Sequence, residues 1–308
     1  MHNKNNNKTK IHICVPTFKE NDLVISFLNC LKKSTYKNWI IYIVNAYPED
    51  NLNLKISNQF EEVINKIKII NGKENEFWSE SVNRGLREIK KKNNPIDKLI
   101  IANVDNYFSS ALLSNLVSNH ESNIQLACVS INKSRKIIKS GINVISWFFA
   151  LNDHLMVNQN IDEVRKKIVN VNFLPISFVI FPIAIINKNF FVDSKHFPHY
   201  GGDYAYSLFL KSKGYKPYID FSSVVENNET NTGYCTYRKN LNFFIRFKNI
   251  LSIKNQSSIR HRFWLVMLHY PSYSKPTAFL SYLAKSIIET FLGGKRINYL
   301  KKFLGIKL

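Results

Sequence analysis

The 308 residues suffice for one large α/β domain with an extension or for two small domains, and 45% are hydrophobic, the content of a globular protein with a real core. Lys and Arg number 43 against 22 Asp and Glu, a formal charge of +21. Four scattered cysteines without a CxxC pair exclude a zinc or redox motif, and the longest apolar run, Phe173 to Ile186 with Pro175 and Pro182 inside it, is too short to span a bilayer.

The chain opens on a polar tail, residues 1–10, MHNKNNNKTK. It lacks the apolar core of a secretory signal, so a cytoplasmic protein with reduced, buried cysteines is expected. IHICV (11–15) reads as a buried strand, and Leu23, Val24, Phe27, Leu28 and Leu31 then recur at helical spacing. WIIYIV (39–44) is a second strand. Phe60, Val63, Ile64 and Ile67 predict a second helix running into the strand KIKII. Ser79 is placed as the cap of a third helix that carries Val82, Leu86 and Ile89 on one face, and KLIIANVD (98–105) is a fourth strand. Such alternation predicts parallel βαβ units and an open, mostly parallel sheet, with ligands beyond the carboxyl ends of its strands. Polar loops follow three of those strands: Pro16-Thr17-Phe18-Lys19-Glu20, Asn45 to Asp50, and Asn103 to Asn106.

Shorter strands follow residue 120: LACVSI (126–131), KIIKSGI (136–142) and the apolar run near 173–186. In FPHYGGDYAYSLFLKSKGYKPYI (197–219), Asp203 stands between two glycines and a helical run ending near Gly214 and Pro217, with a strand near YKPYID (215–220). By itself this reads as a capping aspartate. Beyond residue 230 the chain turns basic and aromatic, and residues 241–308 hold twelve Lys and Arg with only Glu289 opposing them. Such a stripe suits an anionic partner: membrane phosphate, nucleic acid or a phosphorylated ligand. Two amphipathic stretches, 277–292 and 295–308, are expected, divided by Gly293-Gly294 as a helix stop.

No GxGxxG follows a strand, no GxxxxGK[ST] occurs, and there is no GxSxG, so the usual dinucleotide site, the P-loop and the nucleophile elbow are unsupported. His196 and His199 bracket Pro198 and suit a turn better than a metal site.

Four ordered segments carry a resemblance: ICVPTFKENDLVISFLNCLKKSTYKNWIIYIVNA, NEFWSESVNRGL (75–86), IIANVDNYFSSALLSNL and FVDSKHFPHYGGDYAYSLFLKSKGY. Together, over residues 10–228, the chain resembles the family 2 glycosyltransferases of GT-A fold, most closely their rhamnosyltransferase-like members of bacterial polysaccharide synthesis. The resemblance implies a GT-A domain over 11–230, a mixed, mostly parallel sheet flanked by helices, followed by a basic helical extension over 231–308. It implies inverting sugar transfer from a nucleotide-diphosphate donor, UDP or dTDP being expected, to a glycan or lipid-linked acceptor of O-antigen or capsule synthesis, at the inner face of the cell membrane.

The resemblance also places the site. Asp105, in the position of the DxD motif, is the expected contact for a divalent cation, Mg2+ or Mn2+, held against the diphosphate. Asp203 is the expected catalytic base, kept ionised by its helix dipole, with Gly201 and Gly202 letting the backbone approach the acceptor. Pro16, Thr17, Glu20, Asn45, Lys73, Trp78, Asn83 and Asn103 are the expected donor-binding residues. Trp78 reads equally as a core aromatic, and Lys73 and Arg84 are solvated bases or diphosphate contacts. The chain departs from the family pattern at Ala46, Ala205 and Phe209, and where a downstream histidine ligand is common it has Glu226, Asn227 and Asn228. The alternatives are a GT-A-fold protein that binds sugar nucleotides or glycans without turnover and a nucleic-acid binder. The second leaves the acidic residues at the strand ends unexplained, so no nucleic-acid partner is expected. The basic extension is expected to lie on an anionic membrane surface; its other reading is a helical layer packed on the domain.

Overall fold

The computed structural model describes residues 9–49, 51–74, 76–227, 243–253, 255 and 258–303, with no side chain described beyond residue 291. The polar tail up to residue 8, Asn228 and Cys235 lie outside the described residues. The first half alternates as its periodicity predicts: β1 (Ile11–Thr17), α1 (Asn21–Lys33), β2 (Trp39–Asn45), α2 (Leu52–Gln59), β3 (Ile67–Asn71), α3 (Trp78–Lys90) and β4 (Lys98–Ala102). There follow β5 (Asn106–Phe108), α4 (Leu112–Asn119), β6 (Ile124–Ile131), β7 (Ile137–Lys139), β8 (Ile142–Ser146), β9 (Leu151–His154), β10 (Ile168–Asn170) and β11 (Phe178–Pro182). The chain continues through α5 (Ala184–Asn187), α6 (Gly202–Ser212), β12 (Lys216–Asn227), α7 (Phe243–Lys248), α8 (Ile259–His269) and α9 (Lys275–Phe303).

The main sheet runs β10-β12-β6-β11-β4-β1-β2-β3, with β5 on β12 and β7 on β6. Strands β3, β2, β1 and β4 are parallel, so the loops after β1, β2, β3 and β4 open on one edge; β11 is antiparallel to β4 and β6. Strands buried on both faces read as the apolar runs seen in β1, β2 and β4, and helices cover both sides. Helix α1 packs Val24, Phe27, Leu28 and Leu31 into one core, while α3 places Val82, Leu86 and Ile89 in the other. Gly85 lets α3 lie directly on β1, since a Cβ there would stand 2.4 Å from Cys14 Sγ. A third cluster joins Leu265, Val266, Tyr270 and Ala278 of α8, α9 and the turn between them to Phe173, Phe197 and Ala205, so the C-terminal helices are packed on the α/β domain.

Four expectations change. The second helix lies earlier, at α2, where Leu52 and Ile56 are buried; residues 61–66 form a tighter 3-10 turn and Ile64 faces water. Ser79 does not cap α3. The N-cap is Phe77, and the Ser79 hydroxyl donates to the Phe197 carbonyl at 2.5 Å. Asp203 is not the cap of α6 either, because Gly201 takes that place at φ 77°, a left-handed conformation glycine adopts freely. Gly293-Gly294 does not stop the last helix, whose backbone continues through both to Phe303; inside a helix paired glycines weaken hydrogen-bonded turns without ending them.

Candidate active site

Loop 103–105, after β4, is bolted from below. The Asn103 backbone N–H donates to the Ser177 carbonyl at 2.9 Å, and Asn106 Nδ2 donates to the carbonyls of Asn103 and Ser177, both at 2.9 Å. These bonds hold Asp105 on a rigid turn. Its Oδ1 is buried and makes no hydrogen bond within the protein. Burial raises its carboxyl, opposed by the charge of Lys139 and the neighbouring Asn227 amide. Strand β12 delivers that amide, because Asn227 pairs in register with Asn106 on β5. Asn227 is itself buried; its amide is close enough to Asp105 to favour the ionised carboxyl, yet neither its Oδ1 nor its Nδ2 reaches hydrogen-bond geometry with a protein group. Unsatisfied buried polar atoms are costly, and a cluster of them marks a place where something else binds.

Asp203 occupies the first turn of α6. Burial pushes its carboxyl up to about 6, against the backbone N–H groups of Tyr204 and Ile176 and the charge of Lys139, which favour ionisation. The helix start therefore does not hold this carboxylate at an ordinary value, as the sequence suggested; desolvation outweighs the dipole. Ile176 and Ser177 are consecutive, so the turn that carries Asp105 and the carboxyl of Asp203 rest on one dipeptide. Lys139, at the end of β7, acts on both carboxylates. Nothing in its sequence context, KIIKSG, distinguishes it from the other lysines, and the sequence reading missed it.

Glu20 extends the arrangement toward β1. Burial and the nearby charge of Asp105 raise its carboxyl to about 7. It lines an open depression of about 740 Å³ with Lys19, Asn21, Leu23, Tyr47 and Lys55, a volume within the range of small-ligand sites. Lys19 lies over the Tyr47 ring at 4.1 Å, and Phe18 meets Tyr47 edge-on at 5.9 Å, giving this end an aromatic rim. Thr17 Oγ1 is buried without a protein partner where β1 ends, and Pro16 pairs with Val44 in the same register. Asn45 Oδ1 accepts from the Tyr47 N–H at 3.0 Å, shaping the turn after β2.

Other expected site residues are spent on structure. Asn83 is buried and exchanges two hydrogen bonds with the Val192 backbone, 2.8 and 2.9 Å, so it fastens α3 to the chain before α6 and is not directed to a ligand. Trp78 donates its indole N–H to Asn103 Oδ1 at 3.2 Å, which uses both side chains to brace the Asp105 turn. Lys73 is exposed, with its backbone N–H on Glu76 Oε2. Arg84 is held in a forked pair with Glu76 and is not free for a diphosphate. A Cβ on Gly202 would stand 2.5 Å from Ser79 Oγ, so this glycine serves the close approach of α6 to α3, not that of an acceptor. Ala205 is buried against α8, and Phe209 packs edge-on against Phe190 at 5.5 Å. His196 pairs with Asp193 at 2.7 Å and meets the Trp264 ring at a tilt, centroids 4.2 Å apart, the turn role expected of it.

No group of three or more His, Cys, Asp or Glu ligands occurs among the described residues. The donors around Asp105 are instead oxygens: its unpaired Oδ1, the Asn227 amide oxygen and the nearby Glu20. That hard, sparse set fits a Mg2+- or Mn2+-type ion whose shell is completed by phosphate oxygens and water.

Residues 12–191 match the family model described as glycosyl transferase family 2. No curated protein matches the chain. Among solved structures it is similar to the mannosyltransferase PcManGT from Pyrobaculum calidifontis in complex with GDP-Man and Mn2+, with TM-score 0.57 and 12% identity over 97% of this chain and 81% of that one. It is also similar to GalNAc-T7 with UDP, GalNAc and Mn2+, with TM-score 0.55 and 12% identity over 91% of this chain and 57% of that one. At such identities the likeness is one of fold.

Proposed function

Since this chain belongs to glycosyl transferase family 2, we propose that it moves a sugar, with inversion, from a nucleotide-diphosphate donor to a hydroxyl of a glycan acceptor. One observation carries the reading: an unpaired Asp105 oxygen and the raised carboxyl of Asp203 share the Ile176-Ser177 support and the charge of Lys139. A leaving group and a base are needed at that relation, on opposite sides of one sugar.

The nucleoside of a UDP- or dTDP-sugar occupies the depression at Glu20 and Tyr47, beside the paired strand ends at Thr17 and Asn45, with the diphosphate toward Asp105. Asp105 and Asn227 would hold a divalent cation, which would supply electrostatic stabilisation of the departing diphosphate. The acceptor oxygen bonds to the anomeric carbon while the carbon–phosphate oxygen bond breaks, its electron pair leaving with the diphosphate. The acceptor proton goes to Asp203, whose value near 6 suits a base working at neutral pH. Lys139 favours the ionised form of Asp203 before the reaction. The acceptor is a lipid-linked glycan of bacterial surface polysaccharide synthesis, and the basic C-terminal residues draw the enzyme to the inner face of an anionic membrane.

A thermal-shift panel of UDP-, dTDP- and GDP-sugars, with and without Mg2+ or Mn2+, tests the donor assignment. One nucleotide class should stabilise the protein in the presence of metal. Transfer and donor hydrolysis are then compared in wild type and Asp203→Asn, with the product anomer read by NMR. Equal rates in the two proteins, or retention of configuration, reject the base assignment.

A further inference from the structure

Strands β8 and β9 form a hairpin of their own, outside the main sheet. Its tip reads Ser146-Trp147-Phe148-Phe149-Ala150-Leu151, without one charge. Hairpin tips are ordinarily polar, because their side chains and backbone meet water. Here Ile145 is 69% exposed, Phe149 62% and Phe148 46%. The tip is firmly seated from behind. Trp147 packs edge-on against Tyr270 at 4.7 Å, and Ser281 Oγ and Lys285 Nζ donate to the Phe149 carbonyl at 2.7 and 3.0 Å.

The apolar surface continues onto the C-terminal helices. Tyr273, 65% exposed, lies 5.3 Å from the Phe148 ring. On α9, Leu280, Ala284, Ile287 and Phe291 are all exposed at spacings of four, three and four, the signature of one helix face. An exposed apolar surface of this extent marks a binding face. Its surroundings choose the occupant. Lys285 stands at the tip with its Nζ on the Phe149 and Ala150 carbonyls, residues 241–308 carry twelve basic residues in sequence against Glu289, and the only acid in the hairpin is Asp153. A second copy would meet the same positive field, whereas an anionic bilayer offers apolar depth beneath negative headgroups.

We propose that the β8–β9 tip, with Tyr273 and the exposed face of α9, is a membrane-docking surface that seats in an anionic bilayer interface. The root of the same hairpin adjoins the site: Ile142 follows Lys139 closely in sequence, and His154 at the end of β9 feels the Lys139 charge. At about 3.3 Å per residue, β8 from Ile142 to Ser146 spans roughly 13 Å before the tip turns. The hairpin is thus a spacer that sets the height of the cleft above the lipid. That the molecule delivered at this height is a glycosyl acceptor rests on the function proposed above; the docking does not.

The test is flotation of the full chain with phosphatidylcholine vesicles with and without phosphatidylglycerol. Wild type should float with the anionic vesicles. The double variant Phe148→Ser, Phe149→Ser should lose at least tenfold in partitioning while its melting temperature and nucleotide-sugar binding stay unchanged. Truncation after residue 291 should weaken flotation in a salt-dependent way without abolishing it. The proposal is overturned if wild type does not float, if the double variant floats as well as wild type, or if the double variant instead loses a dimer that wild type shows by sedimentation. Absence of nucleotide-sugar binding in a chain that floats would defeat the donor reading and leave the docking surface standing.

Discussion

Lys139 lies near enough to Asp203 for its positive charge to act on that carboxyl, and it opposes the burial that carries the group to about 6. In the proposed role of base, Asp203 is ionised above this value, so kcat/KM should fall as pH drops through about 6, with a single-proton limb. Lys139→Met removes a charge that favours ionisation, and the limb should move to higher pH. A limb that stays in place or moves down would show that Lys139 does not act on the base.

Asp203→Asn should cost about a hundred- to ten-thousand-fold in kcat, with donor affinity retained. Stability should move the other way. The folded carboxyl holds its proton more tightly than the unfolded one, so the folded state loses stability as pH rises from 3.8 to about 6. The amide removes that cost and should stabilise the chain by about 3 kcal/mol at neutral pH, read as a higher melting temperature. A variant both inactive and less stable than wild type would point to a structural role instead.

Asp105→Asn should weaken metal-dependent nucleotide binding at least tenfold and leave metal-free binding little changed, as measured by calorimetry with and without Mn2+. The neighbouring Asn227 offers the converse experiment. Asn227→Asp adds a second carboxylate beside the unpaired Asp105 oxygen and should tighten Mn2+ in the presence of nucleotide, because a hard cation gains from each added charge. Unchanged Mn2+ affinity in both variants would place the cation elsewhere.

Gly202→Ala should lose about 1–3 kcal/mol, since its Cβ would stand 2.5 Å from Ser79 Oγ and force α6 away from α3. Ser79→Ala removes that oxygen, so the double variant should be more stable than the sum of the single effects allows. Denaturant unfolding in a double-mutant cycle measures this coupling. Strict additivity would mean that the two helices do not meet at this contact.

Much of the fold was legible because its signals are local. Buried parallel strands are short apolar runs, their helices repeat every three to four residues, and both patterns survive in β1, α1, β2, α3 and β4 without knowledge of neighbours. Signals failed where a contact from far along the chain outranked the local preference. Ser79 has the chemistry of a cap, but the Phe197 carbonyl claims its hydroxyl. Asn83 has the chemistry of a ligand contact, but the Val192 backbone takes both ends of its amide.

The ordered segments by themselves determined the family and singled out Asp105 and Asp203, because residue type and order are properties of the chain. Tertiary structure alone decided that Asn227 stands beside Asp105, that Lys139 serves both carboxylates and that an apolar hairpin tip joins α9 in one exposed surface. Charge, burial and contact depend on distance through space, and a linear string carries no such distance.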